Sequence, residues 1–332
     1  MSVLLFRLDA NASIGYGHLA RNARLARELA QRGHTVWFAS RDRIDRTHWF
    51  DSDWRFMPLE GGHDFYLLTE KLTPDALICD MPSYNGVTLA FLRAQFPLVV
   101  FDDFQARPLP ADLLINTQMV WQDRPADARQ KVLGGPRYAL IAECAEEATP
   151  AVPQQDIVLT LGGSDPHNLT LRALAWLRDV PPPLTLTVVV GPGYRHETDL
   201  CAALEAYPHP VALCRNVAQM APMLAAHRLA VTAVGVTLYE LAALGVPAIA
   251  LVEEERHAPL AAALEDAGTL RALSLDAAEA GHLASEVGRL LQDSTRRDAM
   301  ARAGRALLDG KGPQRVADAI ANLIAERTRR FA

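Results

Sequence analysis

Short apolar runs alternate with helix-length amphipathic segments along this chain, and the alternation starts twice. The first series opens with SVLLFRL (2–8) and a helical pattern over 18–32 that Gly33 ends. Strand-like runs follow at HTVWFAS (34–40), DALICD (75–80), LVVFDD (98–103) and ADLLIN (111–116), with a helical stretch at 87–95. Runs this short and this apolar suit strands covered on both faces. Strands separated by helices suit a parallel sheet with crossover connections. The pattern lapses at ECAEEATPAVPQQD (143–156), which is acidic, rich in Ala and Pro, and aperiodic; it reads as a linker.

The second series begins with IVLTLGG (157–163) and a helix near 168–179. It continues through LTLTVVVG (184–191), a helix at 197–206, VALC (211–214), LAVTAVG (229–235), a helix at 237–244 and PAIALV (247–252). Long amphipathic helices close the chain. A length of 332 residues fits two domains at roughly 100–200 residues each. The expected division is 1–148 and 149–332, each an α/β domain. Open parallel sheets bind ligands at the carboxyl ends of their strands, so the loops there are where chemistry is expected.

Composition narrows the partners. A net charge of −6 argues against a nucleic-acid groove and against stable membrane insertion. The four cysteines, at 79, 144, 201 and 214, form no C-x-x-C pair and no zinc spacing. The pattern predicts reduced thiols in a cytoplasmic protein with no metal and no cofactor. The first apolar run is too short for a secretion signal, and no run is long enough to span a bilayer.

Three glycine-bearing turns carry the candidate chemistry. In DANASIGYGHLARNARLA, from Asp9, Gly15 and Gly17 flank a tyrosine, and His18 stands at the mouth of a helix. Free N–H groups at a helix start favour an anion, and a histidine there can serve as a base. Arg21 lies one turn in and is a candidate substrate contact; Arg24 and Arg27 read as a solvated face. In TLGGSDPHN (160–168), Gly162, Gly163, Ser164 and Asn168 suit a diphosphate; a tight turn capped by Ser164 or Asp165 is the structural alternative. In AVGVTLYELAALGVP (233–247), Gly235 and Thr237 open a helix, and Glu240 can grip both hydroxyls of a ribose or simply lie on the surface. Asp80 and Tyr84 follow one strand, and Asp102 and Asp103 end another. Each of these four is also an ordinary turn residue.

Together, RLDANASIGYGHLARNARLA, VVFDDF, DLLINTQ, GGPRYALI, LTLGGSDPHNLT and VTLYELAALGVPAIAL resemble, in this order, the UDP-2,4-diacetamido-2,4,6-trideoxy-β-L-altropyranose hydrolases of pseudaminic acid biosynthesis. The resemblance runs to about residue 252. It implies a GT-B fold, two Rossmann-like domains with an interdomain cleft, akin to the N-acetylglucosaminyltransferase of peptidoglycan synthesis. It implies release of the sugar from UDP with anomeric inversion, His18 being the catalytic residue. Asp9, Gly15 and Gly17 then belong to the catalytic loop; Gly162, Gly163 and Ser164 to the nucleotide turn; Thr237 and Glu240 to the phosphate and ribose segment. Asp102 or Asp103 is expected to orient His18 or a sugar hydroxyl. The chain departs from the family at Asn11, where the family has serine, at the register of Tyr84, and at EEERHA (253–258). There Arg256 and His257 stand where the family has an Asn-Gln pair. A changed sugar pocket follows, and two alternatives stay open: a GT-B glycosyltransferase with a UDP-sugar donor, and a non-catalytic nucleotide-sugar binding protein.

Overall fold

The computed structural model describes residues 1–11, 14–44, 50–102, 108–118, 125–141 and 155–331. The chain forms two compact units, one of Met1–Ile141 with Lys311–Ala332, the other of Ala142–Gly310.

The first unit holds a seven-stranded parallel sheet of β1 (Val3–Leu8), β2 (Thr35–Ser40), β3 (Arg55–Pro58), β4 (Ala76–Asp80), β5 (Leu98–Phe101), β6 (Leu113–Asn116) and β7 (Lys131–Gly134). Its spatial order is β3-β2-β1-β4-β5-β6-β7. Neighbours run in parallel, Leu4 opposing Val36 on one side and Ala76 on the other. Side chains alternate faces along β1. Leu4, Phe6 and Leu8 join Leu19, Leu25 and Leu29 of α1 (Gly17–Gln31). Leu5 joins the opposite layer with Leu68 of α2 (Gly62–Leu72) and with Leu89 and Leu92 of α3 (Gly86–Gln95). Both faces are therefore covered, which is why these strands read as unbroken apolar runs.

The second unit repeats the scheme with six parallel strands: β8 (Gln155–Thr160), β9 (Leu186–Val190), β10 (Val211–Arg215), β11 (His227–Ala233), β12 (Ala248–Val252) and β13 (Leu270–Ser274). Their order is β10-β9-β8-β11-β12-β13. The helices are α4 (Leu169–Leu177), α5 (Glu197–Glu205), α6 (Met220–Ala225), α7 (Val236–Leu244), α8 (Ala258–Asp266), α9 (Leu275–Ala277), α10 (Leu283–Gln292) and α11 (Ser294–Leu307). α7 is buried on nearly every side because it is apolar on nearly every side.

The last helix, α12 (Gly312–Phe331), corrects the expected division. Residues 149–332 do not form one domain: Lys311–Ala332 belongs to the first unit. Val316, Ala317, Ile320 and Leu323 form a helical stripe that packs in the core with Leu4, Phe6 and Leu25. Arg32 holds Asp318 at 2.6 Å. Periodicity announces such a stripe without saying which core it will cover. The expected boundary at 148 and most of the expected linker lie outside the described residues. The strand-like ALIA is not a strand over residues 139–141; it follows a single 3-10 turn, Pro136–Tyr138.

One buried histidine in the second unit makes stability depend on pH. Nδ1 of His227 lies 2.7 Å from the carbonyl of Met223, and Nε2 lies 2.8 Å from the Thr187 hydroxyl. A neutral ring satisfies both contacts, donating through Nδ1 and accepting through Nε2. Burial pushes its pKa below the ordinary 6.5. The unfolded chain then binds the proton more readily, so this contribution is present above about pH 6.5 and is lost as the pH falls. Urea midpoints are expected to drop between pH 7.5 and 5.5, and the drop should shrink in His227→Gln.

Candidate active site

In the first unit the strand order reverses between β1 and β4, and the loops leaving those two strands are the natural ligand position. After β1 the chain makes a tight turn. Gly15 donates to the Asn11 carbonyl at 2.8 Å with φ at +87°, a left-handed conformation that costs a residue with Cβ strain. The Asn11 side chain accepts from Ile14 N–H at 2.9 Å and donates to Asp42 at 3.0 Å. The departure from serine at this position therefore closes the turn. Gly17 starts α1, and His18 is its second residue.

His18 points Nδ1 at Oδ1 of Asp80, 2.7 Å away, across the reversal point. Asp80 is the last residue of β4 and is fully buried. Burial alone would raise its carboxyl. The charges and hydrogen bonds of Arg21 and His18 outweigh that and hold it well below the usual carboxylate range. An ionised Asp80 accepts, so Nδ1 carries the proton and Nε2 is left with a lone pair, the arrangement of a general base. The carboxylate that meets His18 is thus Asp80 rather than Asp102. Asp102 uses its main chain to join β6, its N–H meeting the Ile115 carbonyl at 2.9 Å and its carbonyl accepting from Asn116. Asp103 lies outside the described residues.

Four other candidate substrate contacts in this unit bond within the protein. The Asp80 carboxylate faces protein donors. Tyr84 stitches the ends of β4 and β5: its hydroxyl lies 2.5 Å from the Phe101 carbonyl and 3.0 Å from that of Cys79, and accepts from Met81 N–H at 2.9 Å. Asp9 takes both Arg7 terminal nitrogens, at 2.6 and 2.9 Å, and the Arg41 N–H at 2.9 Å, bracing the ends of β1 and β2. Arg21 turns inward to Asp80. Arg27 does remain a surface residue, paired with Asp51, whereas Arg24 reaches the Leu140 carbonyl.

The second unit repeats the reversal between β8 and β11. Its turn after β8 has Gly162 at φ +94°. Asp165 is the helix cap, its two oxygens accepting from Leu169 and Thr170 N–H at 2.7 and 2.8 Å. That leaves Gly162, Gly163 and Ser164 as the turn itself. The Asn168 side-chain oxygen accepts from the Tyr194 hydroxyl at 2.9 Å. Gly235 caps α7 in an extended conformation, Thr237 is half-buried, and Glu240 is buried rather than on the surface. Beyond β12, Arg256 pairs with Glu254 at 2.7 Å and is exposed. Burial, then the Arg256 charge, pushes the His257 imidazole down.

Three residues with a place in these sites were not singled out in the sequence. Asn22 is buried one turn into α1 and donates to Asp80 and to the His18 carbonyl. Glu253, directly after β12, approaches His167 at 3.8 Å, and burial raises its carboxyl. Gly191 directly follows β9 against the turn after β8, and a Cβ there would stand 2.5 Å from the Gly163 Cα. Gly191→Ala must displace that turn; overpacking of this kind typically costs about 1–3 kcal/mol. It is expected to lower the unfolding midpoint and to weaken nucleotide binding measured by calorimetry.

Solved structures share this fold. It superposes on MurG of Acinetobacter baumannii with a TM-score of 0.68 at 16% identity, covering 96% of this chain and 99% of that one. The spinosyn rhamnosyltransferase SpnG gives 0.69 at 16% identity, with 97% and 99% covered. The chain has the two-domain α/β fold of the GT-B glycosyltransferases. In sequence it is similar to the spore coat polysaccharide biosynthesis protein SpsG of Bacillus subtilis, 25% identical over 93% of this chain and 94% of that protein. It is 23% identical to the uncharacterized protein MJ1062 of Methanocaldococcus jannaschii over 74% of this chain, spanning about half (55%) of that protein's length. No family model matches.

Proposed function

We propose that this chain is an inverting glycosyltransferase that takes a nucleoside-diphosphate sugar as donor, with His18 Nε2 as the base that removes the acceptor's proton. The observation that carries this is the His18–Asp80 pair at the mouth of α1, with Nδ1 held at 2.7 Å and Nε2 left as an acceptor. A nucleoside diphosphate leaves readily once its charge is met by fixed N–H dipoles. The step that needs help is deprotonation of the attacking hydroxyl, and a single displacement at the anomeric carbon inverts it. In the second unit, the Gly162–Ser164 turn and the start of α7 offer backbone N–H groups to a diphosphate, and Glu240 offers a carboxylate to a ribose. The likeness to glycosyltransferases supports this reading. Among those structures, SpnG and VinC are complexed with thymidine diphosphate. The name of SpsG points to polysaccharide synthesis.

A second reading replaces the acceptor with water. The motif resemblance favours it: the same base would hydrolyse a UDP-linked 2,4-diacetamido-2,4,6-trideoxyhexose to UDP and free sugar. Proton NMR with that donor, and with other UDP- and dTDP-sugars, separates the readings. Nucleotide release that waits for an added acceptor supports transfer. Release with water alone, giving first the inverted anomer, supports hydrolysis. Saturation transfer from the nucleoside without turnover of any donor would leave a binding protein.

A further inference from the structure

The Asp80 carboxylate is shared by four donors. Oδ1 faces His18 Nδ1 at 2.7 Å and Arg21 Nη2 at 2.5 Å; Oδ2 faces Arg21 Nε at 2.6 Å and the Asn22 amide. An ionised carboxylate has about four lone-pair sites, so these donors fill it and fix its rotation. Arg21 supplies two of the four through the planar fork that only a guanidinium provides. Its Cζ lies 5.2 Å from the centroid of the Phe101 ring, which steadies the plane. Asn22 ties the same carboxylate to the turn that carries the base, since its amide also donates to the His18 carbonyl at 2.8 Å.

A buried ion pair between a helix and a strand is by itself weak evidence for more than packing. Here the pair does not close on itself. Oδ1 serves Arg21 and His18 together, and the imidazole is the more open end of the cluster: the His18 side chain is 18% exposed, that of Arg21 7% and that of Asp80 1%. Without Arg21 two lone-pair sites fall empty and the carboxylate is free to turn. Asp80 then keeps only the His18 and Asn22 contacts, and its hold on the Nδ1 proton weakens.

We propose that Arg21 is a positioning residue for the base: its two-point grip fixes the rotation of Asp80, which keeps the His18 proton on Nδ1 and leaves Nε2 to take the acceptor's proton. This rests on His18 being the base. It replaces the expectation that Arg21 contacts substrate.

The test reads the imidazole before it reads activity. Ring ¹⁵N shifts of His18, assigned by difference from His18→Gln, are recorded without substrate at about pH 9, well above the ordinary imidazole value of about 6.5. The native protein should show a protonated Nδ1 and a bare Nε2. Arg21→Gln should show averaged shifts from two tautomers. Arg21→Lys keeps the charge but not the fork; it should also average, and it stands in where Arg21→Gln does not fold. An unchanged ring spectrum in a folded variant overturns the proposal. In turnover, Arg21→Gln should lose roughly 10- to 100-fold in kcat with the donor KM within about twofold, the mark of an interaction that acts only in the reaction step. A raised KM with unchanged kcat would instead make Arg21 a substrate contact. If the native protein turns over no nucleotide sugar, the functional reading fails, while the ring spectrum still decides whether Arg21 sets the tautomer.

Discussion

Asp80→Asn is expected to lower the unfolding free energy by about 3–5 kcal/mol, because removing one partner of a buried pair leaves the other uncompensated. Arg21 would keep its charge in a buried position without the Asp80 carboxylate beside it. The amide group would also have to turn its NH2 toward two of the four donors that now meet oxygen. Turnover should fall with stability, by two to four orders of magnitude, since His18 loses the acceptor that sets its tautomer. The native protein also predicts an acid signature. Burial pushes the Asp80 carboxyl up, yet Arg21 and His18 hold it below the ordinary value of 3.8. A depressed pKa stabilises fully above the unfolded value and is lost as pH falls through the folded one. The native urea midpoint should therefore lose this contribution only below about pH 4, and Asp80→Asn should lack that part of the slope. Urea titrations across pH 2–7 provide the check. A variant as stable as the native protein would mean that the pair does not hold α1 to β4.

His18→Ala is expected to separate what Asp80→Asn combines. The imidazole is half-buried and sits at the open end of the cluster, and the Arg21–Asp80 contacts remain without it. Unfolding midpoints should move little, while turnover falls 10²- to 10⁴-fold with the donor KM nearly unchanged. The double variant sharpens this. Asp80 acts on the reaction through His18, so the pair together should lose no more activity than His18→Ala alone, whereas the stability loss of Asp80→Asn persists. Additive activity losses would show that Asp80 has a second role in the reaction. Full turnover in His18→Ala would remove the base from the mechanism.

The buried strands and most of the helices were legible because each presents a clean apolar period; α2 and α6 were not read. The strands that escaped are edges. β3, β7 and β13 lie at the margins of their sheets, and RFMP, KVLG and LRALS are half-exposed, with too few apolar positions to stand out. In the site, residue types at strand ends were readable and their partners were not. His18 meets Asp80 across 62 residues because β1 neighbours β4, which is a property of strand order. Asp102 ends a strand one place further from the reversal, so the same strand-end pattern misplaced the role. Glycine pattern found the turn after β8. It did not find Gly191, because what sets that residue is the passage of another loop's backbone.

The return of α12 to the first unit has a consequence for how the protein is made. Residues 1–141 leave the ribosome first, carrying all seven strands of their sheet. The layer formed by Phe6, Leu25 and Leu29 is covered in part by Val316 and Ile320, and the whole of Ala142–Gly310 is synthesised in the interval. The nascent first unit must wait with apolar surface uncovered, the kind of surface that holding chaperones bind and that drives aggregation when left open. A premature stop between residues 141 and 311 would leave that surface permanently bare, even with all seven strands of the sheet in place.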